Sequence, residues 1–580
     1  MLRAAPTNMR ISVVVVAVIL APLSAQHAPL PRGAYLIDNA KSPTSNGSPG
    51  PNNVGNNLRM NRDSAGHLQA EPYIAVSPLD PDRVIGTAVD TRSGNGHAAF
   101  YTSIDGGRTT TVDGVFPLQP GMTGGGDPSI GFDGFGRAYI VEIQLAGSAG
   151  ALFVYRSDDG GLTWPVTNQV FRAAGNAPDK PFLAVDPRTT GTYAGSLYVT
   201  FTGFNAAPFD LRMVHSRDAG ATWSSPIYLG TGQGTSPAVG PNGEVYVSWD
   251  DYAGHIVCSM SPNGGGSMRG ARVVANILQN PNPLPPTSFR CFSFPTTAVD
   301  VSHSPYRGRV YVSWSSRAGS SSEVFCATSV DNGLTWSPPV RINDAVTNDQ
   351  FFQGLAVDET GTVFASWYDR RDDPANRTYH VYASASYDGG ATWTPNWKVS
   401  SAPSDPGTSG WIGDYSGLCA RGGRCFPIWT DLHTGDYDAY TAAVQADLEV
   451  TPPLAIQAST GGTIDLPIKA GPLHAGESYV LVAGLSGTSP GVAFGGGFTL
   501  HLNPDTLTQM SLSAGNGTIF VNTIGVVSAG GLPTTQPRIV LPPGLLSPLA
   551  FQRLSFTYVL LDASPQLSFA SNPVTLWILP

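Results

Sequence analysis

Ser386-Tyr387-Asp388-Gly389-Gly390-Ala391-Thr392-Trp393 reads Ser-x-Asp-x-Gly-x-Thr-Trp, and that pattern decides the fold. It returns at 157–164 (SDDGGLTW), 216–223 (SRDAGATW) and 329–336 (SVDNGLTW), with eroded copies at 103–110 (SIDGGRTT) and 261–268 (SPNGGGSM). The residue types suit a tight hairpin. The Asp accepts hydrogen bonds from the turn backbone and neighbouring hydroxyls, and Gly supplies positive φ without steric cost. The Trp offers a large apolar face that locks the turn to its neighbours. One copy would mean little; six, spaced by roughly 45 to 70 residues, describe an array of similar units.

A second repeat interleaves with the first. Each unit opens with a short apolar strand (A), turns at Asp, Pro or Gly, and runs into a β-branched and aromatic strand (B). Ser236-Pro237-Ala238-Val239 leads to Glu244-Val245-Tyr246-Val247-Ser248-Trp249, and Leu355-Ala356-Val357-Asp358 leads to Thr362-Val363-Phe364-Ala365-Ser366-Trp367. Further openings at Tyr73, Ser129, Phe182, Thr296 and Gly417 make seven units. Strand C, the octapeptide turn and strand D complete each four-stranded sheet, which suggests a seven-bladed β-propeller. The seventh unit stops after strand C. Leu58-Arg59-Met60-Asn61 resembles the D strand Val340-Arg341-Ile342-Asn343, so the N-terminal segment is expected to close the ring and remove its exposed edges.

The octapeptide is similar to the Asp-box (neuraminidase, or BNR, repeat) of the sialidase-like β-propeller superfamily, over roughly residues 57–446. The resemblance implies that boxes such as those of Asp159 and Asp388 are architectural and remote from the active site. It also raises six blades, as in catalytic sialidases, as the alternative count. Sialidase chemistry needs arginines for a substrate carboxylate, a Tyr nucleophile with an activating Glu, and an Asp acid. Asp414-Tyr415-Ser416-Gly417-Leu418 resembles the nucleophile segment of that family, with Glu71 or Glu142 as activator and Asp90 or Asp127 as acid. Arg92, Arg317 and Arg370 or Arg371 are the clamp candidates. Ala70-Glu71-Pro72-Tyr73 departs from the family, which carries an Arg-Ile-Pro segment there.

In this strand order, the loops before A and after B share one face, opposite the boxes. Glu71, Asp127, Asp179 with Lys180, Asp349 with Gln350, and Asp414 with Tyr415 stand before A strands. After B strands come Asp90 with Arg92, Asp250-Asp251, Arg317, the run from Asp369 to Asp373, and Asp431. In a chain only 13% charged, this is a concentration at one mouth. Ordinary solvated loop pairs would look the same. The catalytic set is Tyr415, Asp414, Glu71 and Asp127; the substrate-binding set is Arg92, Arg317, Arg370, Arg371, Lys180 and Asp349. Three readings stay open. They are a sialidase-like exo-glycosidase, hydrolysis of a neutral glycan by paired carboxyls drawn from Glu71, Asp127, Asp179, Asp349 and Asp414, and a non-catalytic platform for a glycan or partner protein. An acidic mouth also suits Ca²⁺, with no ligand set assigned.

The remaining composition sets the context. The 580 residues allow more than one domain, Gly (67) and Pro (49) favour turns over helices, and a net charge of −10 gives no basic footprint for nucleic acid. Arg3 and Arg10 precede the apolar run 11–21, and Ala25 precedes Gln26, which reads as a secretory signal peptide of residues 1–25 and a secreted or periplasmic protein. Residues 26–56 read as a flexible linker. Residues 450–580, nearly uncharged and alternating apolar runs with Gly and Pro, read as an accessory β-sandwich. Of five Cys, Cys419 and Cys425 flank a hairpin turn and are placed to pair across it. Gly487-Thr488-Ser489-Pro490-Gly491 matches G-x-S-x-G, but a strand-like run follows where a nucleophile elbow needs a helix. Trp249, Trp314, Trp367 and Trp429 at B-strand ends read as packing between sheets rather than sugar stacking.

Overall fold

Hydrogen bonding within each octapeptide explains why the chain turns where it does. In the computed structural model, Asp388 Oδ1 accepts from Thr392 N at 2.9 Å and from Ser386 Oγ at 2.8 Å, and Oδ2 accepts from Thr392 Oγ1 at 2.6 Å. Ser386 Oγ in turn accepts from Gly390 N at 2.8 Å. The same network forms around Asp159, Asp218 and Asp331 and in the eroded copy around Asp105, while in the copy at Asn263 the Oδ1 bonds are kept and Nδ2 donates to Ser267 Oγ. Two consecutive left-handed residues close each turn, as at Gly389 (φ 72°) and Gly390 (φ 85°).

The structure describes residues 54–445 and 455–580, apart from 65, 174, 176, 205–208, 303, 305, 360, 395, 469, 471–473, 489–490, 494–498, 501, 530–531, 565 and 572. The signal-peptide reading and most of the linker reading lie outside the described residues. The chain divides into two compact units, one of them Val54–Gln445. No helix among the described residues is long and apolar enough to cross a membrane.

Among the described residues, 54–445 is all-β and folds into seven antiparallel sheets, I to VII, each ordered A-B-C-D. Their A strands are Gln69–Val76, Gly124–Phe132, Pro178–Val185, Gln233–Val239, Thr296–Val299, Gln350–Val357 and Gly417–Arg421. Each A strand packs on the next, and the seventh packs back on the first, so the sheets close in a cycle. Leu58–Arg59 pairs with Asp438–Thr441 of sheet VII, Leu58 opposite Thr441. Asn61 then repeats what Asn343 does in sheet V. Asn61 Oδ1 accepts from Ala439 N and Asn343 Oδ1 from Val324 N, while their amides donate to Gln69 and Gln350 respectively. Residues 54–56 belong to this seam and not to a linker, since Val54 bridges Val444 and Gly55 N donates to Ala443 O.

The tryptophans at B-strand ends fill the spaces between sheets. Trp249 packs with Tyr198 and Leu229 of sheet III, and Trp367 with Tyr311 and Val324 of sheet V. The expected Cys419–Cys425 disulfide is absent, and all five Cys are free and buried. Register gives the reason. Cys419 lies opposite Phe426 and Cys425 opposite Ala420, so the two thiols leave opposite faces of the hairpin.

In the C-terminal unit, one sheet holds Ala455–Gln457, Ser478–Gly484, Ile524–Val526, Arg553–Leu561, Leu567–Ala570 and Val574–Leu579. It shares a core with the sheet of Gly462–Asp465, Phe520–Val521 and Arg538–Leu541 through Ile464, Tyr479, Phe520, Ile539 and Phe556. A helix, Thr506–Ser513, which the sequence reading did not foresee, starts from a capping box on Asp505. Its Leu512 packs with Val480, Val482 and Val559 on the other face of the larger sheet.

Candidate functional site: the carboxyl cluster at the hub

The hub is built by one repeated backbone irregularity. In sheets I, II, III, IV and VI the A–B register shifts at the start of strand A, between Ala70 and Tyr73, Gly126 and Ser129, Asp179 and Phe182, Gln233 and Ser236, and Phe351 and Gly354. The bulged residue is left-handed in each, at Glu71 (φ 53°), Asp127 (48°), Lys180 (47°), Gly234 (69°) and Phe352 (52°). Four of these are not glycine, and three precede proline. Such backbone is strained and is held only by dense surroundings. Counting four residues back from the central apolar pair of each A strand gives seven equivalent positions: Glu71, Asp127, Lys180, Gly234, Phe294, Phe352 and Tyr415. Charged side chains thus occupy consecutive sheets, and aromatic ones occupy the rest of the cycle beyond Gly234.

Lys180 is the cation inside. Its Nζ donates to Asp414 Oδ2 at 2.5 Å and reaches Glu71 Oε1 at 3.5 Å, and its backbone N–H donates to Asp127 Oδ2 at 3.2 Å. Phe294 and Tyr415 offer it ring faces at 6.0 and 5.6 Å. Arg290 completes the set with a bidentate grip on Asp414, at 2.6 Å from Nε and 2.7 Å from Nη2. Gln233 Nε2 donates to Asp179 at 3.1 Å and its Oε1 accepts from Tyr252 Oη at 2.5 Å, which carries the network to the half-exposed Tyr252. Among the described residues, no group of three or more His, Cys, Asp or Glu has the arrangement to hold a metal ion.

Glu71, Asp127 and Asp179 are more acids than the enclosed cation can balance, so their proton affinities separate. Burial, then the charge of Asp127, pushes Glu71 well above the carboxylate range. Burial and Asp127 likewise push Asp179 up to about 7. Burial also acts on Asp127, but the Lys180 charge and hydrogen bonds from Glu71 and Asp179 outweigh it and hold its carboxyl below the usual value. Glu71 Oε2 is buried and, among the described residues, has no conventional donor facing it. A proton carried by Glu71 and donated to Asp127 accounts for both observations. Tyr415 is pushed well above the ordinary phenol value by burial and then by Glu71, which opposes formation of a phenolate. The cavity beside Tyr415, lined also by Tyr73, Phe182, Phe292 and Phe294, encloses about 20 Å³, the room of about one water.

Of the residues expected from sequence, Glu71, Asp127, Lys180, Asp414 and Tyr415 come together, and the arginine clamp does not assemble. Arg92 is held by Asp90 and by Asp113 in the D strand of its own sheet. Arg371 is held by Asp369 and Asp344 and lies over the Tyr382 ring at 4.2 Å. Arg370 is fully buried, donates to Thr287 Oγ1, Pro285 O and Asp349, and packs between Phe289 and Phe351. Asp349, bound to Arg370 and Asn376, falls out of phase because the bulge position of sheet VI is Phe352. Arg317 lies at a separate groove between sheets IV and V. Glu142 is buried elsewhere, accepting from Tyr155, Gln144 and the Ala98 backbone N–H. Arg290 was missed. It comes from the long connection between sheets IV and V, 124 residues from Asp414, and no local pattern marks it. Lys180's place opposite Glu71 was accessible from the four-back count.

No family model matches the chain, and no curated protein matches it. Among solved structures, the chain is similar to an α-L-arabinofuranosidase, Arb93A, from Fusarium graminearum (14% identity, 68% of this chain and 98% of that one, TM-score 0.39). It is also similar to a protein of unknown function from Dyadobacter fermentans (15% identity, 58% and 99%, TM-score 0.39) and to the Aleuria aurantia lectin (13% identity, 57% and 97%, TM-score 0.35).

Proposed function

We propose that residues 54–445 form a seven-bladed, sialidase-like β-propeller of an exported protein that acts on extracellular glycans at its hub, and that residues 450–580 are an accessory β-sandwich. The reaction that fits best is hydrolysis of a neutral glycosidic bond, with Glu71 as the protonated acid and Asp127 as the ionised partner. What carries this is that the buried Glu71 and the half-buried Asp127 meet around Lys180 with separated proton affinities, since a raised carboxyl beside a lowered one is the arrangement that assigns acid and base. Asp414 is committed to Lys180 and Arg290, which leaves Glu71, Asp127 and Asp179 for chemistry. A sialidase-type route is disfavoured, because a protonated Glu71 is no base for Tyr415 and, among the described residues, no arginine triad stands near it.

A second reading, a non-catalytic glycan- or protein-binding propeller, is favoured by the nearly filled cavity beside Tyr415. Turnover of a panel of neutral aryl glycosides and polysaccharides separates the two. The hydrolytic reading expects activity that Glu71→Gln and Asp127→Asn abolish and that Tyr415→Phe largely keeps. Absence of turnover across the panel, with glycan binding that survives all three substitutions, would leave the binding reading. Release of sialic acid lost in Tyr415→Phe would restore the sialidase route.

A further inference from the structure

A second site stands away from the hub, at the seam between sheets IV and V. There, Asn276, Ile277 and Leu278, at and beyond the D strand Arg272–Asn276, face Trp314, Ser316 and Arg317 of the B strand Val310–Ala318. Phe325 and Pro339 complete a groove of about 310 Å³, at the lower end of the range for small-ligand sites. The Arg317 backbone N–H donates to Leu278 O at 2.9 Å, which fixes the two walls.

Comparison with the sister sheets shows what is unusual. In sheets VI and VII the B-strand tryptophan is followed two residues later by an Asp that accepts its indole N–H, Trp367 to Asp369 and Trp429 to Asp431, both at 2.7 Å. In sheet VI the same Asp369 also neutralises an arginine just beyond it, Arg371. In sheet V that position is Ser316. The exchange leaves the Trp314 indole without that acceptor. Trp314, 1% exposed, has a buried indole N–H with no acceptor, and Arg317 makes no ion pair among the described residues, its Nε donating only to Gly319 O. Asn276, exposed, adds a side-chain amide. The opposite character comes from Leu278 (67% exposed), Pro339 and the Phe325 ring stacked on Trp314 at 6.1 Å.

We infer that this groove binds an anionic saccharide unit, with the acid group on Arg317 and the apolar face of the ring against Leu278, Phe325 and Pro339. A guanidinium without a counter-ion selects a carboxylate or sulfate, and the planar apolar wall selects the C–H face of a pyranose. The site is independent of the hub and holds whether or not the hub hydrolyses glycans.

The test is equilibrium binding of the full chain to trigalacturonate, to a sulfated trisaccharide and, as the neutral control, to galactotriose. Expected is binding of at least one anionic probe that Arg317→Gln weakens by about tenfold or more, the worth of one charge-assisted bond. Leu278→Asp, also at an exposed position, should weaken it similarly by repulsion, while both variants keep the wild-type melting temperature. The tighter of the two anionic probes names the acid group. Equal binding of galactotriose, no binding of either anionic probe, or anionic binding untouched by Arg317→Gln would each overturn the proposal.

Discussion

Replacing Lys180 by Met removes the cation enclosed by Glu71, Asp127, Asp179 and Asp414 while keeping a side chain of similar length against Phe294 and Tyr415. Arg290 still holds both oxygens of Asp414, so the uncompensated charge falls on Asp127 and Asp179. Removing one partner of a buried pair costs about 3–5 kcal/mol. The unit of about 390 residues has an unfolding entropy near 0.8 kcal/mol/K, at about 2.1 cal/mol/K per residue. The melting temperature should therefore fall by about 4–6 °C at pH 7 in calorimetry. The deficit should shrink toward pH 5, because the abandoned carboxyls relieve it by taking up protons. Adding Asp127→Asn to Lys180→Met should recover part of the loss, since the ionised carboxyl left without its cation is then gone. A Lys180→Met protein that melts within about 1 °C of wild type, or a deficit that grows as the pH falls, would refute the account of the hub.

Glu142 is pushed up to about 7, first by burial, so its folded-state affinity for the proton exceeds the unfolded one. Its contribution is fully present below about pH 4.5 and is lost as the pH rises through about 7, worth about 3 kcal/mol in total. The melting temperature of Glu142→Gln minus that of wild type should rise from pH 5 to pH 8, and a difference independent of pH would disprove it. Asn61→Ala should cost about 1–3 kcal/mol by stripping the closing seam of buried hydrogen bonds, and an unchanged denaturation midpoint would mean that the N-terminal strand does not close the sheet cycle. Hydrogen bonds from Thr335 hold Asp331 down at about 2, a contribution present above the unfolded value near 3.8 and lost as the pH falls through about 2. Thr335→Val should therefore reduce the melting temperature more at pH 6 than at pH 2.5, and equal losses would be fatal to that reading. A thiol reagent should label five cysteines after unfolding and none before, and a Cys419–Cys425 bond found on peptide mapping would contradict the hairpin register.

The sequence by itself determined the repeated turns, the strand order and the pairing of Leu58–Arg59 with the last sheet. Each of these is written in short-range chemistry: an Asp that bonds residues two and four places away, a Gly where φ must be positive, and an Arg-x-Asn signature shared by residues 59–61 and 341–343. Only the tertiary structure decided which charged residues meet. Arg92, Arg370 and Arg371 looked available in sequence, yet each is neutralised or enclosed by partners that the sheet registers bring alongside. Arg290, invisible in any local pattern, reaches Asp414 across 124 residues. The reason is that a buried charge is positioned by whichever opposite charge folding places within a few ångströms, and that choice is made by packing between sheets rather than along the chain.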